Sequence, residues 1–119
     1  MTRTIAQIVA DHLSIWNSPA DDDRLRAIAS TYASNVLVAE PEAVHRGHDG
    51  VASAIDGLGA APGMQLTRSS EIQTTQELST YSWSFGPAGG PPVVTGRDVI
   101  TVEEHLVTRV YVVIDAPQT

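Results

Sequence analysis

The sequence predicts an α+β domain in which three N-terminal helices pack on one face of a curved antiparallel sheet. Apolar residues recur at three- and four-residue spacing in the first half of the chain, whereas the second half contains β-branched runs with alternating faces. Helices followed by strands form separate layers with a concave space between them. At 119 residues, the chain is expected to form one domain over residues 1–119, with one core and one pocket.

Composition restricts the partners of the chain. The formal net charge is -7 and all seven basic residues are arginines, so the basic face that nucleic acids and anionic membranes require is not expected. The chain has no cysteine, which excludes disulfides and thiolate metal sites. No apolar run approaches the roughly 20 residues of a membrane span. We expect a cytoplasmic protein that binds neither nucleic acid nor membrane.

Three segments have helical periodicity. The first runs from Ile5 to Trp16, and His12 lies on its apolar stripe. The second begins at the acidic run Asp21 to Asp23, which can cap it, and continues to about Ala33. The third covers Val51 to Leu58 and follows Asp49. The buried face of the second helix is expected to consist of Leu25, Ile28, Ala29 and Tyr32.

The strands follow the helices, with one exception. A short strand from Val36 to Glu40 precedes the third helix and ends at Pro41, which cannot donate to a ladder. The other predicted strands are Met64 to Ile72, Gln76 to Phe85, and a hairpin of Val93 to Val102 with Leu106 to Ile114. The positions expected to be buried are Ile8, Val9, Leu13, Trp16, Ile28, Tyr32, Val51, Ile55, Trp83, Phe85, Ile100 and Val112.

Asp98 breaks the apolar pattern of the hairpin. Alternation places its side chain on the same face as Ile100 and Val102, and places Arg97 on the opposite face. A lone carboxylate on an apolar strand face needs either water at a strand end or a role in a pocket. His45 and His48 lie in a polar segment, Glu42 to Gly50, predicted as a loop. Because no further ligand is suitably spaced, no metal is expected there.

Several segments together resemble the nuclear transport factor two-like superfamily. They are the Trp16-Asn17 helix end followed by acidic residues, YASNVLVAEP from Tyr32 to Pro41, GHDGV from Gly47 to Val51, YSWSFGPAGGP, GRDVITV and RVYVVID. The resemblance covers nearly the whole chain and is nearest to SnoaL-like domains. It implies a cone-shaped, cystatin-like fold that polyketide cyclases, ketosteroid isomerases and limonene-epoxide hydrolases share. It also implies a homodimer formed through the exposed sheet face.

The ketosteroid isomerase branch implies roles for three residues. Glu40, in VAEP, matches the aspartate that moves the proton in that branch. Asp98 matches a second aspartate that is kept protonated and donates to the enolate oxygen. His12 falls where that branch has a tyrosine donor. Glu40 and His12 therefore differ in type from their counterparts, while each could instead be a solvent-facing carboxylate or a core histidine.

The resulting prediction is a pocket for a hydrophobic small molecule. We expect a cofactor-independent acid/base enzyme, of isomerase or cyclase type, acting on a cyclic or carbonyl metabolite. Glu40 or Asp98 takes the proton, and His12 with the other carboxyl group stabilises charge on oxygen. The alternatives are a non-catalytic binding or dimerisation module, and an epoxide hydrolase, which needs an Asp-Arg-Asp arrangement. The expected pocket walls are Trp16, Tyr32, Trp83, Phe85, Ile100 and Val112.

Overall fold

A computed structural model describes residues 3–58 and 62–115. The helices are α1 (Ile5–Trp16), α2 (Asp22–Thr31) and α3 (Gly47–Leu58). The strands are β1 (Tyr32–Glu40), β2 (Ala43–Arg46), β3 (Met64–Arg68), β4 (Gln73–Thr75), β5 (Leu78–Pro87), β6 (Val94–Glu103) and β7 (Leu106–Ile114). The three helices cover one face of the curved sheet, as the sequence predicts.

The helix starts are set by side-chain caps. Thr4 and Gln7 form a capping box at the start of α1, in which each side chain bonds the backbone N–H of the other. Asp21 caps α2 by accepting a hydrogen bond from the backbone N–H of Arg24 at 2.9 Å. Asp22 and Asp23 then lie in the first turn, where the helix dipole favours negative charge. The predicted capping by the acidic run is therefore confirmed.

The sheet has the strand order β2-β1-β7-β6-β5-β3, and β4 pairs with β5 beyond the end of β3. All neighbouring strands are antiparallel except β1 and β7, which are parallel. The sheet is therefore mixed, whereas the sequence predicts an antiparallel one. A parallel pair requires a long connection between its strands, and β2, α3 and the strands β3 to β6 separate β1 from β7 in sequence. The sequence interpretation considered only short connections, which produce antiparallel pairs.

The core lies between the helices and the inner face of the sheet. Eleven of the twelve residues predicted to be buried are buried, and Val112 is half-buried against the core. The prediction for α2 is wrong in its phase, because Leu25 is 55% exposed and Ala29 is exposed. The buried face of α2 consists of Arg24, Ile28 and Thr31 instead. The Arg24 guanidinium bonds Asp56 of α3 at 2.9 Å, so a polar contact holds this face.

Several boundaries differ from the prediction. The third helix begins at Gly47 instead of Val51, the strand predicted to continue to Ile72 ends at Arg68, and the short β4 is not predicted. Tyr32 begins β1 instead of continuing α2, so the strand is longer than the predicted Val36 to Glu40. The polar segment predicted as a loop contains β2, which pairs with β1 so that Glu40 faces Ala43 and Val38 faces His45. A turn at Pro41 and Glu42 connects them. The polar side chains of β2 gave no strand signal because it is an edge strand whose outer side is exposed.

The outer face of the sheet, away from the helices, has two halves of different composition. The half formed by β1, β7 and β6 carries the apolar Ala39, Tyr111, Val113 and Val99, and Tyr111 and Val113 are 36% and 48% exposed. It also carries two exposed arginines, Arg97 opposite Val113 and Arg109 opposite Leu37. The half formed by β5 carries hydroxyl side chains, Thr80, Ser82 and Ser84. No helix in the described residues is long and apolar enough to cross a membrane.

Candidate functional site

The structure contains a cavity of about 210 Å³ between the helices and the inner face of the sheet. Its walls come from α1, α3 and five of the strands, so side chains distant in sequence meet there. Apolar groups dominate the lining, which consists of His12, Trp16, Glu40, Ala54, Leu58, Leu66, Trp83, Phe85, Val94, Asp98, Val110, Val112 and Ile114. The described lining includes no lysine or arginine, so every formal charge facing the cavity is that of a carboxylate or histidine.

All three residues predicted to do chemistry lie on this one cavity. His12 reaches it from α1, Asp98 from β6 and Glu40 from the end of β1. Four of the predicted wall residues also line it: Trp16, Trp83, Phe85 and Val112. Tyr32 and Ile100 do not, and both lie in the core behind the lining. Arg97 is exposed while its neighbour Asp98 is buried, which confirms that they face opposite sides of the sheet.

A chain of hydrogen bonds joins three residues of the cavity lining to two tyrosines behind it. Trp16 Nε1 donates to the Tyr32 hydroxyl at 3.1 Å, and that hydroxyl is in hydrogen-bond contact with His12 Nδ1. His12 Nε2 is 3.2 Å from Asp98 Oδ2. Tyr81 donates its hydroxyl proton to the same Asp98 oxygen at 2.8 Å. All five side chains are buried, so the network is shielded from competing water.

The network assigns the proton positions on His12. An indole N–H can only donate, so the Tyr32 oxygen accepts from Trp16 and its own proton needs another acceptor. Among the described residues that acceptor is His12 Nδ1. In this arrangement His12 accepts at Nδ1 and donates from Nε2 to Asp98. Every donor in the chain has an acceptor in this arrangement.

Both buried tyrosines remain protonated donors. Burial raises the pKa of Tyr32 far above its ordinary value of 10.0, the hydrogen bond from Trp16 opposes this rise, and the nearby charge of Asp98 adds to it. Burial also raises the pKa of Tyr81, and the charge of Asp98 and the hydrogen bond to it raise that pKa further. A phenolate at either position would lie in apolar surroundings beside a carboxylate. The tyrosines consequently hold Asp98 and His12 in place by donation.

Asp98 has one carboxylate oxygen held and one free. Oδ2 accepts from His12 and Tyr81, and the Asp98 backbone carbonyl accepts from Thr80 Oγ1 at 2.9 Å. Oδ1 has no donor among the described residues. Since Asp98 is only 5% exposed and lines the cavity, Oδ1 is an oriented acceptor available to a bound molecule.

Glu40 has a partner that the sequence interpretation did not assign. His45 Nε2 lies 2.8 Å from Glu40 Oε1, and both side chains are half-buried. The register of β2 against β1 explains the contact, because His45 lies two residues beyond the direct partner of Glu40 and shares its face. His48 instead bonds the backbone carbonyl of Tyr32 at 2.8 Å. His45 and His48 therefore have different hydrogen-bond partners.

Trp83 presents an unpaired donor. The side chain lines the cavity and is 6% exposed, yet its Nε1 has no acceptor among the described residues. Its six-membered ring lies over Gly96, the residue directly opposite it on β6. A Cβ at Gly96 would come within 2.5 Å of Trp83 Cζ2, so only glycine leaves room for this ring position. The glycine thus supports one wall of the cavity.

Sequence reasoning missed the roles of Tyr81 and His45. Tyr81 lies directly opposite Asp98 in the pairing of β5 with β6, and His45 depends on the pairing of β1 with β2. A signal for Tyr81 exists in the sequence, since it alternates with Trp83 and Phe85 on the inward face. No signal identifies His45 until β2 is recognised as a strand.

The fold and the cavity define a class: a small α+β domain that encloses a predominantly apolar pocket with a buried carboxylate and histidine. The chain has the fold of nuclear transport factor two-like proteins, and solved structures with this fold superimpose on nearly all of it. No protein-family model and no curated protein sequence matches the chain.

Three solved structures illustrate the likeness. An Agrobacterium tumefaciens protein of the SnoaL-like family has a TM-score of 0.84 at 21% identity, covering 93% of this chain and 97% of that one. A candidate polyketide cyclase from Sinorhizobium meliloti has a TM-score of 0.69 at 17% identity, covering 88% and 92%. A Catenulispora acidiphila protein with a ketosteroid isomerase-like fold, in complex with trimethylamine, has a TM-score of 0.72 at 14% identity, covering 92% and 85%.

Proposed function

We propose that this protein is a cofactor-independent acid/base enzyme acting on a hydrophobic cyclic or carbonyl metabolite. One observation carries the proposal: Asp98, His12 and Glu40 line the same apolar cavity, and Asp98 Oδ1 is free while Oδ2 is held by two donors. A buried carboxylate oriented in this way is suited to removing a proton from a bound molecule. The apolar walls exclude water that would otherwise compete for it.

Each polar residue has a role in the proposed reaction. Asp98 takes the proton through Oδ1, because that oxygen is the one without a donor. His12 and Tyr81 position Asp98 through Oδ2 and stabilise its negative charge. Glu40, paired with His45, is half-buried and in contact with solvent, so it exchanges protons between the cavity and water. Of the two carboxylates that the sequence offers as the base, this geometry favours Asp98.

The described relatives support an enzyme of this kind. The Agrobacterium protein is described as a candidate isomerase, and the Sinorhizobium protein as a candidate polyketide cyclase. The rival interpretation is a binding module with the same cavity, and the trimethylamine bound to the Catenulispora protein is compatible with it. The epoxide hydrolase alternative has less support, because no arginine belongs to the described cavity lining.

A homodimer formed through the outer sheet face is part of the proposal. Tyr111, Val99 and Ala39 are direct neighbours on β7, β6 and β1, and Val113 follows on β7. Arg97 and Arg109 flank this apolar group on the same face. An exposed apolar group of this kind on a sheet is typical of an association surface. The hydroxyl-bearing half on β5 would form the polar rim.

The experiment is a thermal-shift screen of cyclic ketones, enones and epoxides, followed by NMR measurement of deuterium exchange or product formation for each ligand that stabilises the protein. Asp98→Asn should retain ligand binding and lose turnover by at least about a hundredfold. Glu40→Gln is the matched carboxylate control and should retain more activity than Asp98→Asn. Ligands that bind to wild type without any turnover would support the binding module and contradict the enzyme.

A further inference from the structure

The described cavity lining offers acceptors to a ligand and no free nitrogen donor. Both ring nitrogens of His12 are engaged, Nδ1 with Tyr32 and Nε2 with Asp98. Trp16 Nε1 donates to Tyr32, and Trp83 Nε1 is fully buried, so both indoles meet a ligand through ring carbon. No lysine or arginine belongs to the described lining. The carboxylates are therefore the polar groups that remain for a ligand.

Asp98 Oδ1 is the best placed of these acceptors. Oδ2 receives the donors of His12 and Tyr81, whereas Oδ1 has no donor among the described residues. Within the described chain, the fully buried side-chain atoms without a partner are Arg24 Nε and Trp83 Nε1, and Oδ1 is not one of them. Asp98 lies on the inner face of the sheet, is 5% exposed and lines the cavity, so the accessible surface of Oδ1 is inside the cavity. A ligand with an N–H donor can pair with it.

Glu40 brings a second carboxylate to the same cavity. The register of β1 against β7 places Glu40 beside Val112, and Asp98 on β6 pairs with Val112 from the other side. The backbones that carry the two carboxylates are thus two strand spacings apart, about 10 Å. A cation in the space between them is attracted by both charges. Each carboxylate also loses part of its cost of burial when a cation is bound.

The rest of the lining suits the apolar body of such a cation. Aliphatic side chains form most of the walls, and Trp16, Trp83 and Phe85 add aromatic rings. Electron-rich aromatic rings attract cations, which helps to offset the cost of removing an ammonium group from water. The cavity of about 210 Å³ is larger than a cavity of about 150 Å³ that holds benzene, so one six-membered ring with an ammonium group fits.

Charge then selects among ligands of this size. An anion would lie beside two carboxylates without a free nitrogen donor to compensate its charge. A neutral alcohol can pair with Asp98 Oδ1 but leaves the negative charge in place. A protonated amine pairs with the same oxygen and neutralises its charge, and such charge-assisted hydrogen bonds are about twice as strong as neutral ones.

We propose that the cavity binds small organic ammonium ions, namely protonated amines with an apolar body of about one ring, whose N–H donates to Asp98 Oδ1. This inference goes beyond the proposed function, since it assigns a ligand class to the cavity whether or not the cavity is catalytic. The ammonium group occupies the oxygen that the proposed reaction uses as its base. Amines without a reactive carbonyl group therefore compete with a carbonyl substrate.

The first test uses the two tryptophans of the chain, which both line the cavity and report its occupancy by fluorescence. Three probes share a six-membered ring and differ in charge: cyclohexylammonium, cyclohexanol and cyclohexanecarboxylate. At neutral pH, cyclohexylammonium should bind about tenfold more tightly than cyclohexanol, and the carboxylate should not bind. Binding of cyclohexylammonium no tighter than that of cyclohexanol, or no fluorescence response to cyclohexylammonium at millimolar concentration, would overturn the proposal.

The second test locates the charge that binds the cation. Asp98→Asn keeps the shape of the side chain and removes its charge, so cyclohexylammonium affinity should fall by about tenfold and cyclohexanol affinity much less. Glu71→Gln is the matched control, because Glu71 is exposed and lies outside the described lining, and this variant should bind like wild type. Equal weakening in both variants would show attraction by the overall negative charge only and contradict the proposal.

The outcomes separate this inference from the proposed enzyme. Circular dichroism checks the folding of Asp98→Asn, and if that variant does not fold, the three probes on wild type decide the proposal by themselves. Turnover of a carbonyl ligand tests the proposed function independently. Cation binding without turnover would sustain the ammonium site alone, whereas turnover without cation binding would sustain the enzyme and reject the ammonium site.

Discussion

The indole Nε1 of Trp16 lies 3.1 Å from the hydroxyl oxygen of Tyr32, and this contact determines which nitrogen of His12 carries the proton. Since Trp16 can only donate, Tyr32 must donate onward to His12 Nδ1. His12 then presents its Nε2–H to Asp98. Trp16 makes no hydrogen bond to Asp98, yet it orients the Asp98 carboxylate through Tyr32 and His12.

Replacing Trp16 by phenylalanine should allow His12 to adopt both neutral tautomers. The Tyr32 hydroxyl would lose the donor that directs its proton, so nitrogen-15 shifts of His12 should change from the Nε2–H form to a mixture. The free energy of unfolding should fall by about 1 kcal/mol for the lost hydrogen bond. Trp83→Phe is the matched control and should leave the His12 shifts as in wild type. A pure Nε2–H form in Trp16→Phe would contradict the assignment.

Stability should fall steeply at alkaline pH. The folded-state pKa values of Tyr32 and Tyr81 are raised above the ordinary 10.0, so above that pH the unfolded chain releases two protons that the folded chain retains. Unfolding is thereby favoured, by about 1.4 kcal/mol per pH unit for each tyrosine. Denaturant unfolding between pH 10 and 12 measures this slope, and Tyr81→Phe should halve the tyrosine contribution. If the unfolding free energy fell with pH equally steeply in Tyr81→Phe and in wild type, the raised pKa of Tyr81 would be contradicted.

Gly96→Ala should destabilise the protein and disturb the cavity. The new Cβ would lie 2.5 Å from Trp83 Cζ2 and would also collide with the carbonyl of Val113. A loss of about 1–3 kcal/mol is expected from chemical denaturation, with a change in Trp83 fluorescence. Gly57→Ala is the control: a Cβ there meets nothing within 4 Å, and α3 should gain about 0.5 kcal/mol.

Charged substitutions on the outer sheet face test whether the protein associates through it. Tyr111→Asp introduces a carboxylate opposite the apolar Val99 and Ala39, and sedimentation should change from dimer to monomer because burying that charge opposes association. Ser82→Asp, on the hydroxyl-bearing half, should weaken the dimer less. Circular dichroism should show that both variants remain folded. A wild-type monomer at micromolar concentration would exclude the dimer.

The α+β class, the phase of α1 and the inward face of β6 can be predicted from the amino-acid pattern alone. These features follow from local periodicity, since apolar residues on one face of a helix or strand can be buried only together. The inward position of Asp98 and of His12 follows from the same rule. The predicted phase of α2 is wrong. Its buried face contains Arg24, which bonds Asp56, and a buried charged residue adds nothing to the periodic pattern of apolar residues.

Which side chains contact one another depends on the three-dimensional fold. Tyr81 and His12 reach Asp98, His45 reaches Glu40, and Tyr32 joins Trp16 to His12. Strand registers and helix packing bring these residues together from 5 to 86 positions apart. The unpaired states of Trp83 Nε1 and Asp98 Oδ1 depend equally on these contacts, because a donor or acceptor is unpaired only with respect to its surroundings in space. Periodicity specifies which face a residue occupies; register and packing specify its partner.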